Sequence, residues 1–537
     1  MNTKIKPIFL LSIFCFALYS LPYLVSSKIT VTDELCFDYF SSLVADHGTL
    51  KYIPEGDRLF GFPGFVPRSF SYTASGEAVP KQPPGFILLA AIAKTITPGK
   101  LFFLINPVLG VCCVLLLYGI GRCLLGDDQR AFWAALLLAS APIFFHWTQM
   151  FFADIANLVA FLLSLWCLLR ALDTQRLTYL VGFGLSLGAM IWMRQSSGIL
   201  LIPIAIYLFL NRHRIGLESC WPPAVSFGIT IALLVIFNIQ VYGGPFRTGY
   251  TMGTVPTPDT IGSGLTLLDQ YASDLMRLAQ YSIPTFELLW PRVKGFPLSF
   301  TLAFPPLLLA FIGLIFGLKT LGKRSFALFL WSTFFVMFFF FGGRETYGIE
   351  RAELTLQSSF LRYMLPFFVL LPIPAVWALE KLKVTRMRWV LLIALLNLGG
   401  ATFSHFGLIH ATLNRIYMED VARFVIDNTD DKTVVFSPYW HSIIFPDRLV
   451  RSRPPASGEE LTYITEGVLR KGFSVAFIYH ASDSMIFEAL NKNTALEKVT
   501  GPNKLNAIFK MLPVPIPKHV YPVTLLKISP TIQLSTD

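Results

Sequence analysis

The chain has 537 residues, of which 54% are hydrophobic, 15% aromatic and only 14% charged, and its mean hydropathy is positive. Soluble domains carry about a quarter of their residues as charges, so this composition excludes a soluble globular protein and defines a polytopic α-helical membrane protein. The net charge of +11 is not a nucleic-acid signal, because the basic residues fall in short clusters between apolar runs rather than on one face, which is how orientation is encoded.

A membrane helix needs about 20 mostly apolar residues. In chain order, eleven candidate spans occur at roughly 7–27, 101–121, 131–150, 152–172, 178–195, 197–211, 222–242, 297–318, 325–342, 363–381 and 389–408. With the N-terminus in the cytoplasm, one side of the membrane receives Lys4 and Lys6, Arg122 and Arg130, Arg170 and Arg176, and Arg212 and Arg214. The same side receives Lys319, Lys323 and Arg324, then Lys381, Lys383, Arg386 and Arg388, as the positive-inside bias requires. The first run has a basic start and "VSS" near its end, as a cleaved signal peptide would. Ile8 to Val25 is nevertheless long enough to span, and an uncleaved helix is expected; Asp33 lies outside in either case.

Three segments are then expected outside: Ser27 to about Lys100, Gly243 to about Phe296, and everything after about Phe406, with the shorter loop "GGRETYGIERAELTLQSSFLR" joining them. The chain thus divides into a transmembrane domain, 1–408, with external loops at about 28–100 and 243–296, and a small extracytoplasmic α/β domain, 409–537. In the first loop, Phe37, Phe40 and Val44 recur at helical spacing with Gly48 as a stop. That pattern predicts a short interfacial helix with Asp33 as its N-cap. The tail combines a helical stretch around Met418 to Asn428 with strand-like runs "TVVFS", "SVAFIY" and "VTLLKI".

The seven cysteines are Cys15, Cys36, Cys112, Cys113, Cys123, Cys167 and Cys220. On this topology only Cys36 faces outside, so no extracytoplasmic disulfide is expected, and no Cys/His cluster has zinc spacing. His47, His146, His405 and His441 form no recognisable ligand set; no cofactor is assigned, and a divalent metal stays open. Ionisable residues inside the spans are few, and Asp154 and Arg194 sit toward outer ends. An ion-coupled pump would carry such groups near the midplane. Polar groups gathered where helices meet external loops suit chemistry on a substrate whose tail lies in lipid and whose head lies in water.

Several stretches occur in the order seen in C-type (GT-C) glycosyltransferases: "TDE" after the first span, "KQPPGFILL" at Lys81 to Leu89, "FADIANLVAFLLSL" opening the fourth span, "WMRQSSGILLIP" at Trp192 to Pro203, "VYGGPFRTGY" after the seventh span and "LRYMLPFF" at Leu361 to Phe368. The pattern resembles the branch that contains bacterial aminoarabinose transferases and protein O-mannosyltransferases, over roughly residues 1–410. The resemblance implies a GT-C fold with about eleven transmembrane helices. It also implies transfer of a sugar, with inversion, from a polyprenyl-phosphate carrier to a lipid, glycan or protein acceptor outside the cytoplasm.

Such a transfer needs a carboxylate to accept the proton of the attacking hydroxyl and positive charge to stabilise the departing phosphate. Asp33 matches the position of the family's catalytic aspartate, which makes it the candidate general base. Glu34 is then a supporting or substitute base, because neighbouring carboxylates push each other's pKa values apart. Lys81 matches the lysine of a "KPP" motif that contacts donor phosphate, although Gln82 intervenes here. Arg194 and Arg362 are further candidates for phosphate, which a guanidinium recognises in bidentate fashion. Asp154 resembles an acidic position that helps bind a metal or orient the acceptor. Tyr242, Arg247 and Tyr250 are expected to shape the groove, since Gly243, Gly244 and Pro245 force a turn, and Tyr363 belongs to the same group. Blander roles compete at each position: a helix cap for Asp33 or Asp154, a snorkelling lysine, arginines anchoring lipid headgroups.

Two rival functions have different signatures. A lipid-linked sugar flippase must carry a polar head across the bilayer and calls for a charged path through its middle. A glycan-binding scaffold needs only an anchor, and eleven spans exceed that.

Overall fold

The computed structural model describes residues 7–26, 29–61, 63–97, 99–214, 216–252, 286–342, 358–383, 387–403, 407–437, 440–452, 458–480, 497–500 and 523–528. His405, most of the loop between Gly342 and Arg362, and the segment between residues 252 and 286 lie outside this set. The protein is a polytopic helical assembly. Six helical stretches among the described residues are long and apolar enough to cross a membrane, eight if each of two bent pairs counts as one crossing.

The difference from eleven has local causes, because several apolar runs are interrupted. The run 131–150 becomes Asp128–Ala139 and Pro142–Thr148, bent by 65°, with Pro142 opening the second piece. Pro305 and Pro306 break the run 297–318 into pieces bent by 99°, since proline offers no N–H to the helix. The run 363–381 is built from Ser359–Tyr363, Leu365–Phe368 and Pro372–Lys381. The helices Leu177–Met193 and Leu201–Leu210 are short for a crossing.

Side-chain size decides which helices approach closely. On Leu177–Met193, a Cβ at Gly184 would collide with Ser226 and the Pro223 carbonyl, and one at Gly188 with Thr230. The helix Trp221–Tyr242 therefore lies against it at backbone distance, the small-residue packing that replaces hydrophobic driving force inside lipid.

The segment that follows the first membrane helix folds onto protein. Helix Thr32–His47 begins after Val31, whose extended backbone (φ −142°) makes it the N-cap, so Asp33 occupies the first turn rather than the cap. Gly48 ends the helix at φ 65°, donating its N–H to Val44, as expected. Phe37 and Phe40 are buried, edge-on to Phe86 at 5.0 Å and tilted on Phe70 at 4.7 Å. The hairpin β1 (Phe70–Tyr72) and β2 (Ala78–Pro80) is antiparallel and leads through Lys81 and Gln82 into helix Pro84–Ile96, with proline in its first turn.

The tail begins with helix Leu408–Asp427, which packs on the first membrane helix, Pro7–Val25. A five-stranded sheet follows, formed by β3 (Thr433–Phe436), β4 (Leu449–Arg451), β5 (Ser474–His480), β6 (Glu497–Thr500) and β7 (Val523–Ile528) in spatial order β4-β3-β5-β7-β6. β3 runs parallel to β4 and β5, while β7 is antiparallel to β5 and β6. The three strand-like runs of the sequence are β3, β5 and β7. The tail holds the segment that follows the first membrane helix: Arg451 donates to the Pro63 carbonyl at 3.0 Å, Ser452 to that of Val66 at 2.8 Å, and Phe445 sits 4.9 Å from Tyr39.

Candidate active site

Four helix ends converge on one charged cluster. Asp33 stands in the first turn of Thr32–His47 and Asp154 in the first turn of Ala153–Thr174, where the helix dipole favours a carboxylate. Arg194 terminates Leu177–Met193 in extended conformation (φ −158°), which turns its side chain off the helix axis. Arg362 and Tyr363 lie on Ser359–Tyr363, whose N-terminus is capped by the Ser358 hydroxyl accepting the Leu361 N–H at 3.2 Å.

Asp154 is the hub. Its side chain, 6% exposed, is ion-paired with Arg194 Nη1 through Oδ1, while its Oδ2 lies 3.9 Å from Arg362 Nε. Arg362 reaches on to Asp33, with Nη1 3.5 Å from Oδ2. Aromatic faces enclose the cations: Arg194 lies 4.1 Å from the Tyr363 ring centre, and Arg362 packs among Trp147, Phe152 and Tyr363 at 5.5, 5.3 and 5.3 Å. Such faces stabilise a guanidinium removed from water. A small pocket beside the cluster is lined by Asp154, Asn157, Arg194 and Arg362 together with Leu158, Ile199, Leu200, Met337, Phe341 and Leu365.

Asp33 and Glu34 part company. Successive helical residues point about 100° apart, so Asp33 faces Arg362 while Glu34 turns into the protein. The Glu34 side chain is wholly buried and paired with Arg415 Nη2 at 2.9 Å. It also accepts the N–H groups of Phe151 at 2.8 Å and Thr30 at 2.7 Å. This geometry departs from the expectation of a substitute base: Glu34 has four donors and no exposure, whereas the Asp33 side chain is 33% exposed and open to a substrate.

Lys81 approaches from the β2 turn. Its N–H donates to Ser69 at 3.1 Å, and its ammonium lies 5.9 Å from the Tyr250 ring centre. Burial pushes the Lys81 ammonium below the usual lysine range, and the Asp33 charge pulls in the opposite direction. The intervening Gln82 has a structural use, since its side-chain carbonyl accepts the Tyr250 hydroxyl at 2.7 Å. The "VYGGPFRTGY" loop closes directly on this turn. Tyr242 donates to the Pro80 carbonyl at 3.3 Å and Ser71 to that of Gly249 at 2.7 Å. A Cβ at Gly249 would overlap Pro80 and Lys81. Arg247 is half-buried with its aliphatic stem over Gly244.

Among the described residues, no three His, Cys, Asp or Glu side chains stand close enough together to share a metal ion. Asp154 already meets two guanidiniums, so the donor set does not fit the metal role considered for it. Arg415 escaped the sequence reading altogether, because a lone arginine in "LIHATLNRIYMED" carries no pattern that marks it as buried beside the site.

Residues 81–240 match the family model described as dolichyl-phosphate-mannose-protein mannosyltransferase. This stretch contains Lys81, Asp154 and Arg194; Asp33 and Arg362 lie on either side of it. The human Protein O-mannosyl-transferase TMTC2 is 27% identical over 212 residues, covering 37% of this chain and 25% of that protein. The chain therefore aligns with about a quarter of the length of this curated relative. The crystal structure of ArnT from Cupriavidus metallidurans in the apo state aligns over 97% of both chains at 14% identity, with a TM-score of 0.36. Both of these matches are to protein mannosyltransferases, and each covers well under half of this chain.

Proposed function

We propose that this chain moves a sugar from a polyprenyl-phosphate carrier to the hydroxyl of an extracytoplasmic lipid, glycan or protein, with inversion at the anomeric carbon. The observation that carries the reading is the partly exposed carboxylate of Asp33 facing Arg362, which Asp154 links to Arg194. The guanidiniums suit the phosphate of such a carrier. Asp154 holds both cations so that they are in place before the donor arrives, which is how preorganised charge lowers a barrier.

In the reaction, the acceptor oxygen bonds to the anomeric carbon while the bond from that carbon to the phosphate oxygen breaks. The hydroxyl proton passes to Asp33, and the polyprenyl phosphate leaves with its negative charge against Arg194 and Arg362. Lys81, near Asp33, adds positive charge on the external side. The basic clusters of the short loops support, under the positive-inside bias, an orientation with this site on the extracytoplasmic face, the N-terminus in the cytoplasm and the tail sheet outside.

The direct test is to incubate membranes containing the protein with dolichyl-phosphate mannose labelled on the sugar, and in parallel with an aminoarabinose-bearing polyprenyl phosphate. Label appearing in a non-carrier lipid, glycan or protein fraction identifies donor and acceptor class together. Carrier that crosses the bilayer with its sugar still attached would instead mark a flippase.

A further inference from the structure

Arg415 sits on helix Leu408–Asp427, outside the matched stretch, with its side chain 1% exposed. Its Nη2 donates to Glu34 Oε1 at 2.9 Å and to the Gln149 carbonyl at 2.9 Å, and its guanidinium lies 4.5 Å from the centre of the Tyr23 ring. Glu34 in turn accepts the Phe151 N–H, the Thr30 N–H and the Thr30 hydroxyl at 2.8, 2.7 and 2.9 Å. One buried ion pair thereby joins the end of the first membrane helix, the start of helix Thr32–His47, the turn through residues 149–151 and the first helix of the tail. Nearby, Ser26 donates to Glu419 at 2.8 Å and reinforces the same junction.

Each carboxylate of the active site hangs from this junction by one to three residues. Asp33 immediately precedes Glu34 in the first turn of the same helix. Asp154 is three residues past Phe151, and the intervening Phe152 packs on Arg362. A buried ion pair is a poor source of net stability, because desolvation offsets most of the attraction. What charge-assisted hydrogen bonds supply is fixed geometry.

We infer that Arg415 is a positioning residue for glycosyl transfer: through Glu34 and the 149–151 turn it holds Asp33 and the Asp154–Arg362 pair at the spacing the reaction needs. The inference rests on the function proposed above. It makes the first tail helix part of the active site, although neither Arg415 nor Glu34 touches substrate.

The test compares wild type with Arg415→Lys and with the double variant Glu34→Gln/Arg415→Gln, using labelled polyprenyl-phosphate sugar as donor and fitting kcat and KM separately. The double variant leaves no charge buried without a partner, so it is expected to elute and unfold thermally much like wild type. A misplacement of about 1 Å at a reacting centre costs on the order of 100-fold. Its kcat should therefore fall about 10- to 100-fold while the donor KM stays within about threefold, and Arg415→Lys, which keeps the charge, should recover part of the loss. A folded double variant with wild-type kcat would overturn the inference, as would a rise in KM at constant kcat, which marks lost ground-state binding. Should the double variant fail to fold, Arg415→Lys is judged on the same split. If wild type transfers no label from any donor, the proposed function and this inference fall together; an active wild type with indifferent variants sinks the inference alone.

Discussion

Asp33 and Arg362 stand 329 positions apart in a chain of 537, yet Arg362 Nη1 lies 3.5 Å from Asp33 Oδ2. The same guanidinium faces Asp154 at 3.9 Å, and Asp154 is paired with Arg194. An alternating row of two acids and two bases thus holds itself ready, with Asp33 as its exposed end.

Asp33→Asn keeps the side chain's size and removes its capacity to take a proton. Transfer is expected to fall by at least about 100-fold, within the range general base catalysis contributes, while the protein elutes normally and donor binding persists. Rates of label transfer alongside donor binding by titration separate the two. Undiminished transfer would remove Asp33 from the mechanism.

Asp154→Asn withdraws the carboxylate from between two nearly buried guanidiniums. Breaking a buried pair by removing one partner costs about 3–5 kcal/mol, so a lowered thermal unfolding midpoint in detergent is expected, together with weaker donor binding. An unchanged midpoint would show that the cations are held by their aromatic neighbours alone.

Lys81 has its ammonium depressed by burial, so it loses its proton at lower pH than an ordinary lysine. A cation that helps hold phosphate is present below its pKa and is lost as pH rises through it. The value of kcat/KM for donor is therefore expected to decline on the alkaline side in wild type. The decline should shift to higher pH in Lys81→Arg, whose guanidinium stays charged. Superimposable pH profiles would take Lys81 out of donor recognition.

Gly249→Ala places a methyl group where the loop meets Pro80 and Lys81. The loop must lift, at about 1–3 kcal/mol for forced overpacking. The expected result is a raised donor KM with kcat less affected, measured in the same transfer assay; an unaltered KM would detach the loop from the donor site.

Much of this protein is legible without coordinates. Apolar runs and basic clusters announce a multi-pass helical protein because the bilayer permits little else. Gly48 stops its helix by supplying the left-handed backbone that other residues resist, and β3, β5 and β7 follow from short runs of strand-forming residues. The motif order brings Asp33, Lys81, Asp154, Arg194 and Arg362 forward as candidates, and the structure gathers the acids and arginines into one cluster. Where the reading departs from the structure, the deciding quantity is non-local. Whether an apolar run crosses straight or bends depends on neighbours as well as on prolines. Whether Val31 or Asp33 caps a helix depends on backbone angles.

Sequence alone determined what the chain is made to live in and which residue types stand near the outer ends of its helices, since hydropathy and charge act locally and additively. Only the tertiary structure decided that Asp33 faces Arg362 while its neighbour Glu34 is committed to Arg415. That outcome depends on the rotation of about 100° between successive helical residues and on a partner 381 positions away, and no local pattern encodes such a distance.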